Sequence, residues 1–297
     1  MTSELIIRAA AKINLGLNIL GRRDDGYHEL ESVMQQISLY DILKFIPCED
    51  EGISFYCSDG TLSGPGNLVV KAAKLLLDRS GLSLPGVRIE LYKNIPVAAG
   101  LAGGSSDAAA ALLGLNRFWK LELDEQELME VGALLGSDVP YCLRGGTALV
   151  KGRGEILESL PDLPFFWVLL AIPAGDRIST AEAYRTFDRS KLGKLSLDAI
   201  IEAVKEGRKE DIKNWLAADF TNTLETADLP GTREAIALKK KLKKMSFPAV
   251  LSGSGPSLYI LTDDYNLLRN AAIAVKQLNA RFFLCWTINS KRSDSNV

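Results

Sequence analysis

The segment PVAAGLAGGSSD at residues 96–107 constrains this chain more than any other. It follows Val87, Ile89 and Leu91, which alternate with Arg88, Glu90 and Tyr92 and read as a strand over 87–92. It opens onto an alanine-rich stretch, about 105–118, that reads as a helix. Glycines at 100, 103 and 104 let the backbone bend and approach a ligand with no Cβ in the way. The free N–H groups and the dipole of the helix start favour an anion such as a triphosphate. Ser105 and Ser106 can cap the helix or meet a phosphate oxygen, so a plain glycine-rich turn with a serine cap fits the same residues. No G-K-[ST] follows and the spacing is not G-x-G-x-x-G, so any nucleotide grip is of another kind.

The chain has one histidine, His28. That excludes a multi-His zinc site, and a Ser-His-Asp or Cys-His system would have to use His28. The formal charge is −2, without the basic surplus of a nucleic-acid binder. Cys48, Cys57, Cys142 and Cys285 form no C-x-x-C pair and read as reduced, mostly buried thiols. The N-terminus lacks the pattern of a secretory signal, and no apolar run reaches the ~18 residues of a membrane span. The expectation is a cytoplasmic chain with no nucleic-acid or membrane partner and no metal cluster of its own.

Length predicts about two domains, with the boundary near residue 155, where the pattern loosens over 147–160. In the first part, KINLGLNIL at 12–20 reads as a strand with Ile13, Leu15, Leu17 and Ile19 on one face. Lys12, Asn14 and Gly16 fall on the other, which faces either solvent or a site. A turn at Asp25-Gly26 leads to strand patterning over 32–46. A helix starts after Asn67 and closes at Gly81, and Asp124 with Glu127 predicts a capping box. The second part predicts a strand at 166–172 and helices near 179–187, within 196–218 and over 230–244. A glycine-interrupted strand near 249–260, a helix at 265–278 and a strand at 281–287 follow. The lysine run 239–244 reads as a solvated helix end. The interleaved elements predict α+β or α/β.

Two further segments can carry chemistry. LSGSGPSL at 251–258 is either a tight turn or a second wall for the ligand of the first loop. GSDVPYCL at 136–143 sets Asp138 in a turn, where it either caps a helix or presents a carboxylate that accepts a proton or orients a hydroxyl.

Together these segments resemble the GHMP kinase family, named for galactokinase, homoserine kinase, mevalonate kinase and phosphomevalonate kinase. Its members carry a lysine strand, a P-x-x-x-G-L-x-[GS]-S-S loop and a C-terminal G-x-G turn. Here those are Lys12 in AAAKINLGL, residues 96–106, and Gly253, Ser254 and Gly255. AKINLGLNILGRRDDGYHELESV at 11–33, PVAAGLAGGSSDAAAAL at 96–112, GSDVPYCLRGGTALVKGRGE at 136–155 and LSGSGPSLY at 251–259 are similar to one branch. That branch phosphorylates the 2-hydroxyl of a diphosphocytidyl methylerythritol in the non-mevalonate isoprenoid route, and D-G-Y-H at 25–28 discriminates it from its relatives.

The resemblance implies an α+β fold of two domains flanking a cleft. Residues 1–155 would form a ribosomal S5 domain 2-like, ATP-binding domain, and 156–297 a ferredoxin-like α/β domain that completes both sites. It implies ATP as co-substrate, with Mg²⁺ on the phosphates retaining several waters. Asp138 matches the catalytic aspartate and Lys12 its partner. Pro96, Val97, Ala98, Ala99, Gly100, Leu101, Ala102, Gly103, Gly104, Ser105 and Ser106 would hold the triphosphate, with Gly253, Ser254 and Gly255 opposite. Tyr27 would stack on the cytosine, His28 would hydrogen-bond its edge, and Tyr184 in STAEAYRTF would close the other face. Asn14 would lie at the erythritol end. The partners would be small molecules, and the chain a monomer or weak homodimer.

Overall fold

The computed structural model describes residues 4–175 and 178–290, so most of the polar tail from 289 lies outside the described residues. Two long strands, β1 (Leu5–Arg22) and β2 (His28–Pro47), pair antiparallel from Leu5↔Phe45 to Arg22↔His28. The turn between them is an Asx turn, in which Asp25 accepts from the Tyr27 N–H at 3.0 Å. The other edge of β2 is shared. Residues 42–47 pair with β4 (Val87–Tyr92), and residues 30–35 with β5 (Thr147–Gly152). β3 (Ile53–Cys57), parallel to β4, and β6 (Ile156–Ser159), antiparallel to β5, complete a six-stranded sheet.

The stretch 147–160, where the sequence pattern loosens, therefore holds two strands, and β6 carries the first sheet to Ser159. Both faces of β5 are buried and β6 is an exposed edge, so neither alternates apolar and polar residues cleanly.

Helix α1 (Leu68–Ser80) starts and stops as its sequence predicts: Asn67 accepts from the Val69 N–H at 2.9 Å, and Gly81 turns left-handed. The chain then crosses β4 and enters α2 (Gly103–Trp119), which lies flat on the sheet. Its alanines at 108–111 permit that close approach, and at Gly114 a Cβ would sit 2.3 Å from the Phe45 ring. In α3 (Glu125–Leu135) both halves of the Asp124–Glu127 capping box are present. α4 (Val139–Arg144) is a short turn of helix packed against α2 and α3.

The second half is an antiparallel sheet of β7 (Trp167–Ile172), β8 (Val250–Leu251), β9 (Leu258–Thr262) and β10 (Arg281–Trp286), in the order β10-β7-β9-β8. Around it run α5 (Thr180–Thr186), α6 (Asp198–Lys205), α7 (Lys209–Leu216), α8 (Pro230–Lys244) and α9 (Tyr265–Gln277). The strand expected near 249–260 divides at its glycine turn into β8 and β9. The lysine run needs a correction at one position. Lys239 is buried and pairs at 2.7 Å with Glu225, whose side chain is only 7% exposed, because residue 239 falls on the face of α8 turned inward, while Lys240, Lys241, Lys243 and Lys244 are exposed.

A core that joins the halves runs from Ile13, Leu15 and Ile37 of the first sheet to Phe166, Val168, Leu197 and Tyr259 of the second half. Each such side chain, taken wholly out of water, contributes roughly 1.5–3 kcal/mol. The joint is thus a packed core rather than a flexible linker, and it sets the cleft between the halves.

Candidate active site

The cleft encloses about 960 Å³. Its floor is β1. Lys12 and Asn14 face it and are nearly fully buried, at 5% and 1% exposure, so this strand face meets the cleft rather than bulk solvent. Gly16 does not share that face, contrary to the alternation. The register slips between Asn14↔Met34 and Gly16↔Val33, leaving Leu15 as a bulge. One extra residue inverts the side-chain parity beyond it. Gly16 consequently turns toward α6 and α7, where a Cβ would lie 2.7 Å from Leu197, and Leu17 lines the cleft instead.

One wall is the loop 96–105. The residue before α2 is Ala102, left-handed at φ 55°, with no side-chain cap. Neither serine caps the helix, so its first N–H groups stay open toward the cleft. Ser105 lines the cleft. Ser106 is buried away from it, its hydroxyl donating to Ala10 O at 2.6 Å. Opposite stands the turn at 252–255. Ser252 Oγ donates to Gly100 O at 3.0 Å, and a Cβ on Gly100 (φ 75°) would lie 2.1 Å from Ser252 O. The two glycine segments therefore interlock. Gly253 and Ser254 line the cleft; Gly255 sits behind them, its N–H donating to Ser252 O at 2.9 Å.

At the floor, Lys12 Nζ lies 3.6 Å from Asp138 Oδ2 and donates to Asn14 Oδ1 at 2.8 Å. Asn14 Nδ2 donates to Ser32 Oγ at 2.7 Å, and Ser32 Oγ donates to Gly16 O at 2.7 Å, so the lysine is held by a chain of filled bonds. Asp138 begins α4 but makes no side-chain cap bond. Its carboxylate is committed to Lys12 and the cleft, not to the helix.

The far end of the cleft carries the aromatic residues. The His28 and Tyr184 rings stack with centroids 5.3 Å apart, and Phe187 meets His28 edge-on at 5.6 Å. Burial, with Arg22 and Arg189 nearby, holds the His28 pKa below its ordinary value. At neutral pH the imidazole is uncharged, with one N–H donor and one lone-pair acceptor. Tyr27 is half exposed, and the Arg153 guanidinium lies 5.1 Å from its ring centroid. Tyr184 thus packs on His28 itself.

Several residues of the cleft have no signal in the local sequence. Leu17, Asn67, Lys93, Arg153 and Thr180 all line it. Asn67 is visible only as a helix cap, and Arg153 only as part of the 136–155 block. Lys93 follows β4 and reaches Asp107 of α2 at 2.6 Å and also Asp41 of β2. Three elements meet there, so no single segment reveals the cluster.

Known proteins share this fold. Residues 67–146 match the family described as GHMP kinases N terminal domain. A homoserine kinase from Cytophaga hutchinsonii superposes over 97% of this chain and 96% of its own, at a TM-score of 0.74 and 17% identity, which speaks to the fold alone. A crystal structure of a 4-(cytidine 5'-diphospho)-2C-methyl-D-erythritol kinase superposes over 95% of this chain and 99% of its own, at a TM-score of 0.79 and 34% identity. The 4-diphosphocytidyl-2-C-methyl-D-erythritol kinase of Pelotomaculum thermopropionicum is 44% identical over 287 residues, 95% of this chain and 98% of that one. That of Bacillus pumilus is 45% identical over 258 residues, 86% and 87% of the two chains. The fold and cleft are those of a GHMP kinase, with two α+β halves on either side of a glycine-walled site. Within that class the chain belongs to the 4-diphosphocytidyl-2-C-methyl-D-erythritol kinase family.

Proposed function

We propose that this chain transfers the γ-phosphoryl group of ATP to the 2-hydroxyl of 4-diphosphocytidyl-2-C-methyl-D-erythritol, releasing ADP and the 2-phosphate. The carrying observation is the Lys12–Asp138 pair, 3.6 Å apart, on the floor of a cleft with an uncapped helix start at one end and a neutral histidine in an aromatic cluster at the other. Phosphoryl transfer asks for in-line positioning and charge stabilisation more than covalent work. The open N–H groups of α2 and the 252–255 turn would hold the triphosphate. Asp138 would orient the acceptor hydroxyl and take its proton as the phosphoryl group arrives, while the Lys12 ammonium stabilises the developing alkoxide.

Neutral His28 would read the cytosine edge, with Tyr27 and Tyr184 supplying stacking surface worth roughly 1–3 kcal/mol per face. Asn14 both aims Lys12 and faces the erythritol end. Mg²⁺ would arrive on phosphate oxygens and keep several of its waters. Asp138 is the carboxylate at the floor able to face that ion, whose chemistry is to neutralise phosphate charge. Among the described residues no helix is long and apolar enough to cross a membrane. We read the chain as a cytoplasmic enzyme of small molecules, a monomer or weak homodimer.

The test is a coupled ADP-release assay offering the cytidyl alcohol, mevalonate and homoserine in turn. Turnover confined to the cytidyl alcohol is expected; turnover with mevalonate or homoserine and none with the cytidyl alcohol refutes the assignment.

A further inference from the structure

Asn222 does not itself line the cleft, yet its side chain is fully used. It is 1% exposed. Its Nδ2 donates to Leu251 O at 3.0 Å and to Gly253 O at 2.8 Å, and its Oδ1 accepts from the Leu224 N–H at 2.9 Å. All of its strongest hydrogen-bonding capacity is thus spent on three backbone groups. One of the three, Gly253 O, belongs to the turn that interlocks with the phosphate loop, and a second, Leu251 O, ends the strand that leads into it. The backbone at this point is also tied to the floor of the cleft: residue 222 forms a parallel bridge with Leu17, and the Leu17 N–H donates to Thr221 O at 3.0 Å.

The consequence follows from peptide geometry. In a trans peptide the carbonyl oxygen and the next N–H point to opposite sides. Asn222 draws the Gly253 carbonyl toward itself, so the Ser254 N–H is turned the other way. Gly253 and Ser254 line the cleft, and a Cβ on Gly253 would lie 3.0 Å from Gly100 O and 3.4 Å from Asn14 Oδ1. The peptide plane that Asn222 fixes therefore stands between the phosphate loop and the floor strand.

We propose that Asn222 is a positioning residue for nucleotide binding: it holds the 253–254 peptide so that its N–H serves the phosphates, and through Ser252 it holds the loop at Gly100. This rests on the ATP-dependent reading above and adds a residue that acts through the turn rather than on the ligand.

The test compares wild type with Asn222→Ser and Ser252→Ala. Serine at 222 keeps an oxygen for the Leu224 N–H, as helix-capping residues do, but is too short to reach both carbonyls. Ser252→Ala leaves Asn222 intact and cuts the bond to Gly100. Both variants should raise the ATP KM, and the dissociation constant of a non-hydrolysable ATP analogue, about tenfold. The acceptor KM should stay within about twofold. A merely structural role would move both constants together or leave both unchanged, and either result overturns the proposal. If Asn222→Ser does not fold, Asn222→Thr, which likewise keeps an oxygen for the Leu224 N–H and is too short to reach both carbonyls, decides by the same split. Wild type that binds the analogue but turns over no cytidyl alcohol removes the acceptor assignment only, and the comparison of analogue dissociation constants still judges Asn222.

Discussion

The cluster of Lys93, Asp41 and Asp107 sets one ammonium against two carboxylates in a site with side chains 8%, 0% and 4% exposed. Burial opposes the Lys93 charge, but the two carboxylates outweigh it and raise its pKa. Burial pushes Asp107 from 3.8 up to about 8, with Lys93 pulling the other way and Asp41 adding to the rise. Up to about pH 8 Asp107 therefore keeps its proton. This fixes the sign of a stability effect. Between 3.8 and about 8 the folded chain holds a proton that the unfolded chain has released, so this group's contribution falls as pH rises and is fully lost above about 8. Asp107→Asn cannot ionise and keeps an oxygen for Lys93, so it should gain on wild type across that window. Each unit of displacement is worth about 1.4 kcal/mol, and sharing within the cluster reduces the total to about 1–3 kcal/mol. In a chain of this size each kcal/mol moves Tm by about 2–4 °C. The Tm of Asp107→Asn minus that of wild type should therefore climb by about 2–12 °C from about pH 5 to about pH 9, measured by scanning calorimetry in buffers of matched ionic strength. A constant offset between the two proteins drops out of that difference. A difference that stays flat, or falls with pH, would show that Asp107 is ionised throughout.

Three further outcomes are expected. Asp138→Asn should keep the affinity for an ATP analogue within several-fold while lowering turnover by at least about a hundredfold, and full activity in that variant would remove Asp138 from the chemistry. His28→Ala should raise the KM for the cytidyl acceptor by about tenfold and spare ATP, since only the base end loses a partner; equal weakening of both ligands would make the histidine a support of the fold. Gly100→Ala brings a Cβ to 2.1 Å from Ser252 O at a left-handed φ, so the interlocked segments must part. That variant should lose at least about 1–2 kcal/mol of stability and bind ATP more weakly, and a normal Tm with a normal ATP KM would show that the two segments move independently.

What was legible in the sequence had its cause within a few residues. Asn67 and Gly81 bound α1, Asp124 and Glu127 close a box across three residues, and the span of α8 matches the 230–244 reading because each depends on local backbone groups. The glycine-rich loop at 96–106 was visible for the same reason, since glycines and a helix start are local facts. What was not legible depends on partners far along the chain. Ser105 and Ser106 look equivalent in sequence; they differ because Ala10 O, on a strand ninety-six residues away, takes the hydroxyl of one. Lys239 looks like its neighbours in a lysine run until Glu225 is brought beneath it. The bulge at Leu15 is the sharpest case. Residues 12–19 alternate without a break, yet register against β2 inserts one residue and exchanges Gly16 for Leu17 at the cleft. The alternation records which side chains are apolar, not which of two buried faces each one joins, and here both faces are buried. Only a pairing partner can decide between them, and β2, whose other edge is already divided between β4 and β5, is that partner.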